Sequence, residues 1–205
     1  MSGVRLGVRL GVAVGLAVGL AALAACGSVP TQNYYVLTAT VAAPAVASTS
    51  PTARRATIHI DSAHLPEVVD RPQFVVGVGS DANKVTILEQ QRWGEPLRAA
   101  IPQVLALDLE RLLPDTRVTA AAQDALPADA WRVALDVQRF EARPGDAVTV
   151  EIAWTLRRAG ADASSARTGR STAREAIGAG DYAAIAAAAS RALATISSEI
   201  AAAIR

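Results

Sequence analysis

An α+β single domain, with an antiparallel or mixed β-sheet packed against two main helices at about 95–113 and 181–204, is the fold the sequence predicts. Three observations lead there. Residues 131–140 and 147–157 each alternate apolar and polar side chains, the period of a strand with one buried face. Residues 95–113 switch to helical spacing, with Leu97, Ile101, Leu105, Leu109 and Leu112 on one stripe. From Asp181 to the end, Ile185, Ala189, Leu193, Ile196, Ile200 and Ile204 again fall at three- and four-residue steps. Strand runs followed by helices that cover them are the α+β pattern.

The N-terminus is of another kind. Arg5 and Arg9 precede a 16-residue uncharged run, Leu10–Ala25, which is short for a spanning helix and is interrupted by glycines. A basic start, an apolar stretch and small residues before a cleavage point read as a secretory signal over residues 1–25. The run ends at Cys26, the one cysteine of the 205-residue chain. A lone thiol there could be a buried small hydrophobe, a nucleophile or an attachment point. The residues Leu23-Ala24-Ala25-Cys26 resemble the lipobox of bacterial lipoproteins. That resemblance implies acylation of the Cys26 thiol, cleavage before it, and acylation of the new amino group. Two or more chains hold a protein stably where one holds it marginally. Gly27 and Ser28 follow where such lipoproteins carry Asp for inner-membrane retention, so the resemblance implies the periplasmic face of the outer membrane.

Residues 26–57 then form a lipidated start, a short strand at 33–37 and a connector. The segment 38–57 is rich in Ala, Pro, Ser and Thr, a composition that buries too little to offset its ordering entropy. The strand before it must dock on the body, which brings the anchored end beside the domain. The body, 58–205, opens with Thr57–Asp61, where Ile58 and Ile60 share a face and His59 and Asp61 form a solvated pair on the other. An apolar strand at 73–79, a turn at 80–83 and a strand at 84–90 follow. Pro96 suits the first turn of the helix, whereas Pro102 should kink it or displace its start. The hairpin turns through Ala142–Asp146, a further strand covers 168–177, and Asp181 caps the last helix.

Composition narrows the function classes. Loss of Arg5 and Arg9 with the signal leaves 18 basic and 19 acidic residues. There is no basic patch of the kind nucleic-acid binding needs. His59 and His64 are the only histidines, and with Cys26 spent they are too few for zinc. No metal or other cofactor is expected. The chain has no Gly-x-Ser-x-Gly elbow and no phosphate-cradling loop, so no catalytic residues are assigned and an enzyme is not expected.

Several stretches together resemble one family. They are Tyr34-Tyr35-Val36-Leu37, residues 65–76 (LPEVVDRPQFVV), residues 92–97 (RWGEPL) running into residues 101–109 (IPQVLALDL), and the Ala-rich C-terminal helix. The pattern is similar to the PqiC-type (YmbA-like) lipoproteins, auxiliary components of MCE-type ABC transport systems. The resemblance implies an outer-membrane adaptor that joins a periplasmic MCE-domain protein and an inner-membrane permease, in a system tied to lipid traffic and envelope integrity. A ring-symmetric partner would invite a matching homo-oligomer. The alternative is a periplasmic lipid-binding carrier with an acyl-sized cavity.

Four residues are candidates for the partner interface: Tyr35, Arg71, Gln73 and Trp93. Arg71 and Gln73 either start a strand or sit at a partner-facing edge. Trp93 either caps the helix entrance from the core or anchors an interface, where tryptophan is enriched. One of the adjacent tyrosines, Tyr34 and Tyr35, should pack inward while the other faces out.

Overall fold

The structure is a computed structural model that describes residues 30–42, 56–79, 81, 83–120, 126–178 and 181–205. The signal segment, Cys26 and residues 43–55 lie outside the described residues. In chain order the elements are β1 (Asn33–Tyr35), β2 (Ala56–Ile60), β3 (Gln73–Gly77), β4 (Val85–Trp93), α1 (Leu97–Leu112), β5 (Thr116–Thr119), β6 (Trp131–Ala142), β7 (Ala147–Arg158), β8 (Arg167–Ala176) and α2 (Tyr182–Ile204). Residues 32–205 fold as one unit. This is the α+β class expected, with a mixed sheet and two long helices among the described residues.

β6 is the axis of the sheet. It pairs antiparallel with β7 along its length, in the register Val133↔Leu156 and Val137↔Ile152, with one bulge at Val137/Arg139. β8 continues antiparallel beyond β7. On its other side β6 pairs parallel with β2 through Trp131–Val133, and β2 pairs parallel with β5. At its far end Ala142 meets Val76 of β3, from which β4 and β1 carry on to the second edge. Two arms therefore leave β6 on the same side, one ending at β5 and the other at β1.

Alternation decides which face is buried. Ile58, Ile60, Val133, Leu135, Val137, Val148, Val150, Ile152 and Leu156 all point to the helices, none more than 4 % exposed. Each such side chain contributes about 1.5–3 kcal/mol by leaving water. α1 and α2 pack on one another, with α2 over β7 and β8. Ala188, Ala189 and Ala192 are fully buried, and residues this small let α2 approach its neighbours closely. Asp181 caps α2 as expected, accepting the Ala183 N–H at 2.9 Å.

Gly169 lies inside β8, where glycine ordinarily weakens a strand. It faces Trp154 across the β7–β8 pair, and a Cβ built there would lie 2.1 Å from the indole. The missing side chain leaves room for the ring over the β8 backbone, with its Nε1 donating to Ser171 Oγ at 3.1 Å.

Pro102 does not displace the helix start. α1 begins at Leu97, and Pro96 stands just before it at the N-cap rather than within the first turn. Proline has no N–H for the carbonyl four residues back, here that of Arg98. That carbonyl instead accepts the Ala63 N–H at 3.2 Å, so the break in the helix ladder ties down the β2–β3 connection.

The expected connector is also shorter than its composition suggests. Ala56 and Thr57 belong to β2, and residues 38–41 are bound across both helices. Thr38 N–H donates to Ser190 Oγ at 3.1 Å and Val41 N–H to Asp108 Oδ1 at 3.0 Å. Arg111 Nη1 donates to the carbonyls of Ala39 and Val41 at 3.0 and 2.8 Å. These bonds come from side chains far along the chain, which a local reading of composition does not see.

Candidate functional site

One end of the molecule gathers the sequence-selected residues. There β1, the last residues of β4, the loop before β3 and the start of α1 meet. β1 adds to the edge of β4 in parallel, with Asn33↔Gln91 and Tyr35↔Trp93. Gln91 Oε1 accepts from Tyr35 Oη at 2.7 Å and Asn33 Nδ2 at 3.3 Å. Gly94 N–H donates to the Tyr35 carbonyl and Trp93 N–H to the Pro72 carbonyl, both at 2.7 Å.

Behind this edge stands an aromatic row. Tyr35 packs on Phe74 with centroids 5.0 Å apart, Phe74 on Trp93 at 4.2 Å, and Trp93 edge-on to Phe140 at 5.9 Å. Trp93 is 6 % exposed and Phe74 1 %. Of the two readings of Trp93, the geometry selects the core residue at the helix entrance. Parity does the same for the tyrosines: Tyr35 turns inward and Tyr34, 62 % exposed, turns out. Burial holds the Tyr35 phenol above its ordinary pKa, with Asp181 and Tyr182 adding to the effect.

In front of Trp93 lies a surface cavity of about 430 Å³, lined by Asp70, Arg71, Pro72, Gly94, Glu95, Pro96 and Arg98 as well as the indole. Arg98 and Asp70 form a two-bonded ion pair on its wall, with Arg98 Nε 3.1 Å from Asp70 Oδ1. The bond to Asp70 raises the Arg98 pKa. Arg71 Nε is buried with no hydrogen-bond partner among the described residues. Gln73 lies outside this cavity and donates from Nε2 to Glu89 Oε2 at 3.2 Å. A smaller cavity of about 110 Å³ shares Trp93 and Glu95 with the first and is bounded by Tyr35, Val36, Gln103, Val104 and Leu107. Arg71 and Trp93 therefore meet at one cavity and Tyr35 and Trp93 at the other, while Gln73 stands apart from both.

The histidines do not converge. His59 is buried, contrary to the solvated pair expected, because its strand is flanked on both sides, by Thr119 of β5 and Arg132 of β6. Its Nε2 lies 3.5 Å from Asp61, which also accepts from Arg132 Nη2 at 2.7 Å. His64 is exposed and meets Asp136 instead, at 3.2 Å.

Sequence reasoning missed Asp108. Its side chain is fully buried, Oδ1 takes the Val41 N–H, and Oδ2 has no partner among the described residues. Burial raises its pKa, opposed by the backbone bonds from Val41 and Thr40 and by Arg111. A signal existed: Asp108 stands seven residues after Ile101 and three after Leu105, on the apolar stripe of α1.

A family model for the ABC-type transport auxiliary lipoprotein component matches residues 35–201, nearly all of the folded body. The chain belongs to this family. Two crystal structures have a similar fold. One, of an uncharacterized protein, is 17 % identical with a TM-score of 0.68, covering 86 % of this chain and 100 % of that one. The other, protein XCC0632 from Xanthomonas campestris, family model DUF330, is 19 % identical with a TM-score of 0.60, covering 83 % and 93 %. No curated protein matches the chain. Membership makes the chain a membrane-anchored lipoprotein that serves an ABC-type transport system, in a family of transport auxiliaries rather than enzymes.

Proposed function

We propose that the chain is acylated at Cys26, resides on the periplasmic face of the outer membrane, and acts as an adaptor. Its partners are a periplasmic MCE-domain protein and, through it, an inner-membrane permease of a system that moves lipid and maintains the envelope. The family match over residues 35–201 carries this reading. Packing favours an adaptor over a lipid carrier. Fully buried side chains of Leu105, Leu109, Leu193, Ile196 and Ile200 occupy the helix side of the core. The 430 Å³ cavity lies outside that core, at the surface, where Asp70, Arg71, Glu95 and Arg98 stand beside Trp93, Pro72 and Pro96. Arg71 and Gln73 are the partner-facing candidates, while Trp93 and Tyr35 hold that edge rigid from behind.

Affinity capture of the tagged, full-length lipoprotein from detergent-solubilised envelopes tests the adaptor. Recovery of an MCE-domain protein, reduced by Arg71→Ala, is the expected result. Repeated capture without one overturns it, and stoichiometric co-purified phospholipid in native mass spectra would instead establish a carrier.

A further inference from the structure

Tyr34, Val36 and Leu107 are 62, 58 and 49 % exposed, large apolar side chains left in water beside the aromatic row. Val36 and Leu107 bound the same small cavity and form one patch, and Tyr34, two residues before Val36, stands on the adjoining strand end. Val85 and Ile87, also exposed, belong to the start of β4. Val85 is about 26 Å along that strand from Trp93 at a rise of about 3.3 Å per residue, and it forms a separate surface.

The chain itself indicates what covers the first patch. Seven residue steps separate Cys26 from Asn33. Even fully extended they reach no more than about 25 Å. A body of this size is roughly 40 Å across, from a radius of gyration near 16 Å. Asn33 is not free to swing, because β1 is paired to β4 and the following residues are bound across both helices. An anchor at Cys26 therefore holds the β1 end, rather than any other part of the body, against the bilayer.

We propose that the patch of Tyr34, Val36 and Leu107 rests in the surface of the lipid bilayer that receives the acyl chains, so that a protein face as well as the anchor orients the body. The proposal rests on acylation at Cys26. Tyrosine, with an apolar ring and a polar tip, suits the headgroup boundary, and apolar faces of this kind sink about 5–10 Å into it. Arg71 and Gln73, on the neighbouring loop and β3, are then presented just above the membrane.

The test uses the acylated full chain reconstituted in phosphatidylethanolamine–phosphatidylglycerol vesicles. Acylation occupies the native thiol, so Val36→Cys, Leu107→Cys and, as a control at the far end of β4, Lys84→Cys can each carry one environment-sensitive fluorophore. Labels at 36 and 107 should show blue-shifted emission that is lost to spin-labelled lipid, while the label at 84 shows neither. Tyr34→Cys provides an independent third position should either variant fold poorly. Vesicle flotation and intact mass report the anchor separately. Protein that floats with labels at 36 and 107 as wet as at 84 overturns the membrane-facing patch and leaves the anchor intact. Labels that become dry only when a protein partner is added overturn it as well. Protein that carries no acyl groups and does not float overturns both readings.

Discussion

The two ends of the sheet solve their surfaces differently. On the β6–β7–β8 side the face turned from the helices is charged and largely self-paired. Glu151 meets Arg170, Asp146 meets Arg174, and Glu141 lies between Arg139 and Arg143. On the β1–β4–β3 side the strands are shorter and partly parallel. Tyr34, Val36, Val85 and Ile87 are left in water there, and a buried guanidinium nitrogen of Arg71 has no partner among the described residues. A face whose charges are largely paired has little left to offer a partner. The other side keeps apolar area at the surface, at the chain end where the proposed anchor would attach. On the proposed reading, the difference separates scaffold from contact surface.

Substitutions can break that contrast or sharpen it. The largest effect is expected beneath the contact side: Phe74→Ala removes the middle of the aromatic row and should cost about 3–5 kcal/mol in denaturant unfolding. A loss below 1 kcal/mol would mean that the row does not support this edge. On the scaffold side, Gly169→Ala pushes a methyl into the Trp154 ring and should cost about 1–3 kcal/mol. Combined with Trp154→Ala, the two losses should fall short of their sum, since the ring being displaced is gone. Full additivity would place the indole elsewhere.

Asp108→Asn probes the strap that joins the two sides. The variant keeps an acceptor for Val41, so stability at neutral pH should change by no more than about 1 kcal/mol. Asp108 holds its proton more readily in the fold than in the unfolded chain. Its contribution is therefore fullest below the unfolded value of 3.8 and falls as pH rises through the higher folded value. Wild type should lose stability relative to the variant across that window, as read from unfolding midpoints at successive pH values. A difference that stays flat, or runs the other way, would contradict the assignment. The smallest effect belongs to the outer scaffold face: Arg170→Ala should cost less than about 0.5 kcal/mol, because its partner is a surface carboxylate.

How much of this was legible in the sequence follows the same division. The β6–β7 hairpin, β8 and α2 are written in local periodicities, and the register bears them out within a residue or two. β5 has four residues and finds its parallel partner far back in the chain, so no local pattern marks it. At the candidate site the alternation of Tyr34 and Tyr35 was readable. Which one turns inward depends on the Tyr35↔Trp93 pairing, a contact across 58 residues. The binding of residues 38–41 by Ser190, Asp108 and Arg111 was hidden for the same reason. Their composition resembles a linker, and the partners that order them are remote.

The most direct measurement of the central claim is the intact mass of the mature protein extracted from membranes with detergent. The expected mature chain begins at Cys26 and carries a diacylglyceryl group on sulfur and a further acyl group on nitrogen. A mature chain that starts elsewhere, or starts at Cys26 with an unmodified thiol, would contradict it.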